Sequence, residues 1–162
     1  MNRPVRPEVI MSGSPTFESL TQDTIEEHRQ INFFLDQIAV TLDGLKSGLT
    51  DEEPMRRLAA QLEGLRERLV EHHTAEEQGG LFQAVLEVLP DCRVEVRRLV
   101  NQHEKIIEIL EMARIHAQCG DKEEADGLRV DLDNFLEMFR QHERDEEDLL
   151  RRAIDRESRA VD

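Results

Sequence analysis

The chain has 162 residues with 36 acidic against 21 basic side chains, a formal charge of -15, so it offers no basic footprint for a phosphate backbone, and nucleic acid and anionic membranes are excluded as expected partners. At this length one domain buries about 70% of its unfolded surface, and no apolar run approaches the roughly 18 residues that a membrane span requires. Tyrosine and tryptophan are absent, which excludes a tyrosyl radical or an indole from any site chemistry.

Residues 1–15 hold three of the five prolines and no helical periodicity, so a disordered tail is expected. It has no apolar stretch long enough for a signal peptide, and the cytoplasm is the expected location. From Thr16 to Lys46 the apolar positions Ile25, Ile31, Leu35, Ile38 and Leu42 recur at three and four residues, the signal of an amphipathic helix. Ser47 to Thr50 breaks it. Thr50 with Glu53 makes a capping box, Pro54 falls in the first turn, and a second helix begins. Its stripe of Leu58, Leu62, Leu65, Leu69 and His72 runs to Gly79-Gly80, and a short apolar piece from Leu81 to Leu89 leads to Pro90. Asp91 can cap a third helix carrying Val96, Leu99, His103, Ile106, Leu110 and Ala113, with a glycine stop at Cys119-Gly120. Asp121 with Glu124 offers another capping box. The fourth helix places Leu132, Phe135, Phe139, His142, Glu146, Leu149 and Ala153 on one side as far as about Arg156, leaving 157–162 as a C-terminal tail. Four helices joined by short connections predict an all-α, antiparallel up-down-up-down bundle over residues 16–156. If Cys92 and Cys119 lie on one helix, 27 residues of rise part them by roughly 40 Å, beyond disulfide reach; they read as free thiols, which suits a reducing compartment.

Each of the four predicted helices carries a histidine three residues after an apolar residue: His28 after Ile25, His72 after Leu69, His103 after Val100 and His142 after Phe139. Two are followed at four residues by glutamate, as His72/Glu76 and His142/Glu146. Positions i and i+4 share a helix face, so one helix can present an imidazole and a carboxylate to one point. A single histidine on an apolar stripe is ordinarily a packed core residue. Four of them with two paired carboxylates predict a metal site inside the bundle.

A shared site needs its ligands at one height. His28 and His72 each lie 22 residues from the turn near Thr50, about 33 Å along their helices. His103 and His142 lie 19 and 20 residues from the turn near Lys122, and His103 and Glu76 lie 13 and 14 residues from Pro90. His72, 18 residues from Pro90, is brought into line if the Gly79-Gly80 break absorbs the difference. The pattern of a histidine helix followed by an HxxxE helix occurs twice, which predicts two metals rather than one.

On the segments EEH (26–28), HHTAEEQGGLF (72–82), NQHEKII (101–107) and HERDEEDLL (142–150) the chain resembles the hemerythrin-like (HHE cation-binding) family, over nearly everything after the N-terminal tail. The resemblance implies a non-heme di-iron centre. His28 and His72 would bind one iron, His103 and His142 the other, and Glu76 and Glu146 would bridge the two ions together with an oxo or hydroxo group. The implied ligand is dioxygen or a related small oxidant such as peroxide or nitric oxide. Oxygen-carrying members have a further histidine four residues after the third-helix ligand; here that position is Ile107. One iron therefore has an open position, or another residue fills it.

His73, with Glu77 four residues on, offers an alternative register to His72/Glu76, and His116 reads as a surface histidine. Glu26, Glu27, Glu143 and Asp145 read as a solvated face. The ExxH pairs of ferritin-like di-iron enzymes, a HExxH zinc motif, a CxxC pair and a phosphate-binding glycine loop are all missing. Three functions remain open: a di-iron protein that binds or senses a small oxidant or iron; a di-iron enzyme with peroxidase, oxidase or nitric oxide chemistry; and a metal-free helical interaction module, with a protein partner that the sequence does not name.

Overall fold

The structure, a computed structural model, describes residues 15–46, 52–119 and 122–161. The expected N-terminal tail, the break before Thr50 and the capping boxes at Thr50 and Asp121 lie outside the described residues. Four long helices, α1 (Phe17–Lys46), α2 (Glu52–Gln78), α4 (Arg93–Cys119) and α5 (Lys122–Val161), form the bundle, and a short α3 (Leu81–Val88) with a 3-10 turn (Pro90–Cys92) links its halves. None of the described helices is long and apolar enough to cross a membrane.

The helix boundaries have local causes. Thr16 caps α1 by accepting the Ser19 backbone N–H at 3.2 Å on Oγ1, which satisfies one of the donors a helix start leaves open. α2 ends because Gly79 and Gly80 turn the chain. A Cβ on Gly79 would come 2.2 Å from the Ala75 carbonyl oxygen, and Gly80 has φ +101°, a left-handed conformation open to glycine. Pro90 opens the 3-10 turn, so α4 starts at Arg93, two residues past the Asp91 cap expected from sequence. α5 continues to Val161. Residues 157–161 are thus helix and not the tail expected, since the segment from Arg156 to Ala160 holds the helix formers Arg156, Glu157, Arg159 and Ala160 and neither glycine nor proline.

α1 packs mainly on α2, α2 on α4, and α4 on α5, while α1 and α5 meet only sparsely. The apolar stripes build two cores. One contains Ile31, Leu58, Leu62, Leu65, Leu69, Ile106, Leu110, Phe135 and Phe139; the other gathers Phe17, Leu81, Phe82, Val85, Leu99, Leu149 and Ala153 around α3. Each fully buried Leu, Ile or Phe contributes about 1.5–3 kcal/mol relative to exposure. Along every long helix the polar residues of the centre fall between these two cores, or, on α2, at the far edge of the first. α3 closes the second core where α2 has already ended. Ile25, read as a stripe position, is 51% exposed; Thr21 and Thr24 take the buried face of α1 there, and Thr21 Oγ1 donates to the Phe17 carbonyl at 2.9 Å.

Candidate metal centre

Between the two cores lies a buried polar layer of His72, His73, Glu76, His103, His142 and Glu146, with His28 at its edge. The heights counted from the turns meet: His28 Nε2 faces His72 Nε2 at 3.1 Å across α1 and α2, and the His103 and His142 rings stand edge to face at 4.8 Å across α4 and α5. Two sets of side chains converge closely enough to hold an ion each, with ligand atoms within 4.8 Å of one another: His28, His72, Glu76 and Glu146 in one, and His73, His103 and His142 in the other.

The carboxylates sit between these sets. Glu76 places Oε1 2.9 Å from His72 Nε2 and 3.9 Å from His28 Nε2, while its Oε2 lies 3.2 Å from His103 Nε2. Glu146 Oε2 lies 3.3 Å from His28 Nε2 and 3.8 Å from His142 Nε2. Each carboxylate therefore faces histidines of both sets, the arrangement that a bridging ligand needs.

A second layer holds the rings by their far side. His72 Nδ1 donates to Glu27 Oε2 at 2.7 Å, His103 Nδ1 to Glu77 Oε1 at 2.7 Å, and His142 Nδ1 to Gln102 Oε1 at 3.1 Å. Because carboxylate and amide oxygens only accept, Nδ1 carries a proton in each of these rings, and Nε2 is the nitrogen turned inward to the layer. The sequence reading missed these partners. Sequence alone reads Glu27 as part of a solvated face and Glu77 as part of an alternative ligand pair, and gives Gln102 no role. The signal available was their place one residue before or after a motif residue. Asp145 pairs with Arg98 at 3.2 Å, and Glu143 is half-buried and accepts from Asn32 Nδ2 at 3.1 Å; neither is a freely solvated group. His116 is half-buried and pairs with Asp131 at 2.6 Å.

Burial and close charges shift the titrating groups of the layer in both directions. Burial opposes ionisation of Glu76, but His103 and His72 beside it hold its carboxyl well below the usual range. Glu146, buried and facing the Glu76 charge, is pushed up to about 7. Burial, reinforced by the neighbouring His103, lowers His142 to about 3, leaving it a neutral imidazole. Both oxygens of Glu76, both of Glu146, and Nε2 of His73, His103 and His142 are buried without a hydrogen-bond partner among the described residues. Such groups are costly in an apolar interior. Seven inward-facing lone-pair atoms of imidazole and carboxylate type fit a hard to borderline cation such as iron or zinc.

The layer is approached from the surface on two sides: a depression between α2 and α4 is lined by His73 and His103, and a cleft reaches His28. Where α1 and α5 part, a cleft of about 510 Å³ lined by Thr21, Ile25, Glu143, Leu150 and Ile154 reaches His28, whose side chain is 15% exposed while that of His72 is fully buried.

A model of the hemerythrin HHE cation-binding domain matches residues 19–154, a span containing every residue of the layer. The chain belongs to this family. The fold of this HHE domain is the helical bundle expected for it, and its polar layer contains His/Glu groups that could hold a metal ion. No curated protein and no solved structure matches the chain.

Proposed function

We propose that this HHE domain is a non-heme di-iron protein that binds or senses dioxygen or a related small oxidant. Its ligands are His28, His72, His103 and His142, with Glu76 and Glu146 as bridging carboxylates between two irons joined by an oxo or hydroxo group. The observation that supports this reading is the convergence of the two histidine sets on two carboxylates whose four oxygens lack hydrogen-bond partners. A bound iron pair would supply redox chemistry and a coordination position for a small oxidant. The chain's own residues do the rest: Glu27, Glu77 and Gln102 orient the imidazoles, the two apolar cores exclude bulk water, and the α1/α5 cleft admits small molecules at His28.

An enzymatic role is favoured by one observation. Glu143 lines the cleft beside His28, and burial raises its pKa, so a carboxyl that can give or take a proton stands at the entrance. On this reading the domain would turn over peroxide or nitric oxide instead of holding an oxidant reversibly.

The test is metal analysis of anaerobically purified protein, followed by its optical spectrum before and after air is admitted. The expected result is about two irons per chain, with near-ultraviolet and visible bands that change on oxidation. A folded chain that takes up no iron would replace this reading with that of a metal-free interaction module.

A further inference from the structure

The two halves of the layer are unequal, and the inequality concerns a histidine outside the six-residue ligand set. We infer that His73 is a seventh ligand, completing the group of His103 and His142, so that one metal is held by three imidazoles and the other, on the His28 side, by two. This inference rests on the di-iron reading above.

Helix geometry makes the assignment possible. Successive residues on an α-helix point about 100° apart, and α2 is the helix that packs on both α1 and α4. His72 turns toward α1, where it meets Glu27 and His28. His73 turns toward α4 and α5: its ring lies on His103 with centroids 3.9 Å apart and planes 2° from parallel, and stands edge to face with His142 at 5.9 Å, so a shared ion requires one of the two stacked rings to turn about its side-chain bonds. The two adjacent histidines are thus not rival registers for one place. Each serves a different side, while Glu77, the partner His73 would have in the other register, is engaged at His103 Nδ1.

A packing role accounts poorly for His73. The residue is 5% exposed and its Nε2 has no hydrogen-bond partner among the described residues, so a leucine there would bury similar volume without stranding a polar atom. The ligand role gives that atom a partner. It also explains Ile107, which packs against the apolar core and lines the same surface depression as His73 and His103. His73 on α2 thus reaches the side of the layer that Ile107 flanks on α4. With three imidazoles on that side, the less saturated metal is the one beside His28, where the α1/α5 cleft opens.

Four proteins decide the matter: the wild type, His73→Leu, Ile107→His and the double variant. The measurements are iron per chain, the rate of iron loss to a strong ferrous chelator, and the melting temperature without metal. The wild type should hold two irons. His73→Leu should lose one of them at least about tenfold faster, the scale seen when even an outer partner of a ligand is removed, while its metal-free melting temperature stays level or rises. Adding Ile107→His to His73→Leu should restore slow release. Two irons with wild-type retention in His73→Leu would overturn the inference, and so would a fall in metal-free melting temperature, which would make His73 a packing residue. A wild-type chain that takes up no iron refutes the di-iron reading itself, a result distinct from unchanged retention in an iron-loaded variant.

Discussion

Glu27 Oε2 lies 2.7 Å from His72 Nδ1, although Glu27 is on α1 next to His28 and His72 is on α2. The contact crosses between helices, so α1 supplies one inward imidazole through His28 and the orienting carboxylate for another through Glu27. Glu27→Ala should leave the bundle folded, since the side chain is one-third exposed, yet weaken iron binding by roughly 10–100-fold. Chelator competition on the two proteins reads this directly; equal affinities would show that the ring of His72 is held by packing alone.

Removing a bridging carboxylate acts on content as well as affinity. Glu146→Ala should bind less iron and lose most of the rise in melting temperature that iron gives the wild type, because stabilisation by a ligand follows its occupancy. His116→Ala, whose partner is Asp131, should keep both the iron and the rise. Equal iron content in the two variants would argue against the ligand assignment.

Protons and metal compete for the layer. Burial lowers the pKa of His72, but the carboxylates of Glu27 and Glu76 outweigh it and push it up to about 10; Glu146 is pushed up to about 7. Metal binding needs a neutral imidazole and an ionised carboxylate, so iron uptake at pH 7 should release about one proton from His72 and a further fraction from Glu146. Calorimetry in buffers of different protonation enthalpy measures this number, and zero release would contradict it. The same shifts set the pH trend of the metal-free fold. His72, raised from 6.5, gives stability that is complete below 6.5 and lost as pH rises through about 10. Glu146, raised from 4.5, loses its share as pH climbs from 4.5 to 7. Between pH 7 and 9 the metal-free melting temperature should therefore fall, more steeply than that of the iron-loaded protein.

The cleft gives a kinetic prediction. Ile25 lines it and is half exposed, so Ile25→Trp should obstruct the approach to His28 without touching a ligand. Iron content should stay at the wild-type level while nitric oxide associates severalfold more slowly, followed optically after rapid mixing. Val130→Trp, at an exposed position on α5 outside the cleft lining, is the control and should match the wild type. Equal association rates in the two variants would place the entrance elsewhere.

Most of the bundle was legible because its signal is periodic. The stripes through Leu58 to Leu69 and Leu132 to Phe139 are buried as the spacing predicts, and residue counts from the turns were enough to bring His28, His72, His103 and His142 to one level. What residue counts leave open is the rotation of each helix about its axis. That rotation decides that Ile25 faces a cleft, that Glu27 serves His72 instead of solvent, and that His73 looks toward α4. Adjacent residues differ by one step of rise but by more than a quarter turn, so height was readable from sequence while direction awaited the packing of α2 between its two neighbours.

The sparse meeting of α1 with α5 has a mechanical consequence. α2, α4 and α5 pack in series, and α1 packs mainly on α2 with smaller contacts to α3 and α5. Across its free edge run the Asn32–Glu143 hydrogen bond and the contact of His28 with Glu146. The polar layer therefore also joins the first helix to the opposite wall of the bundle, and a substitution at His28 removes part of that junction.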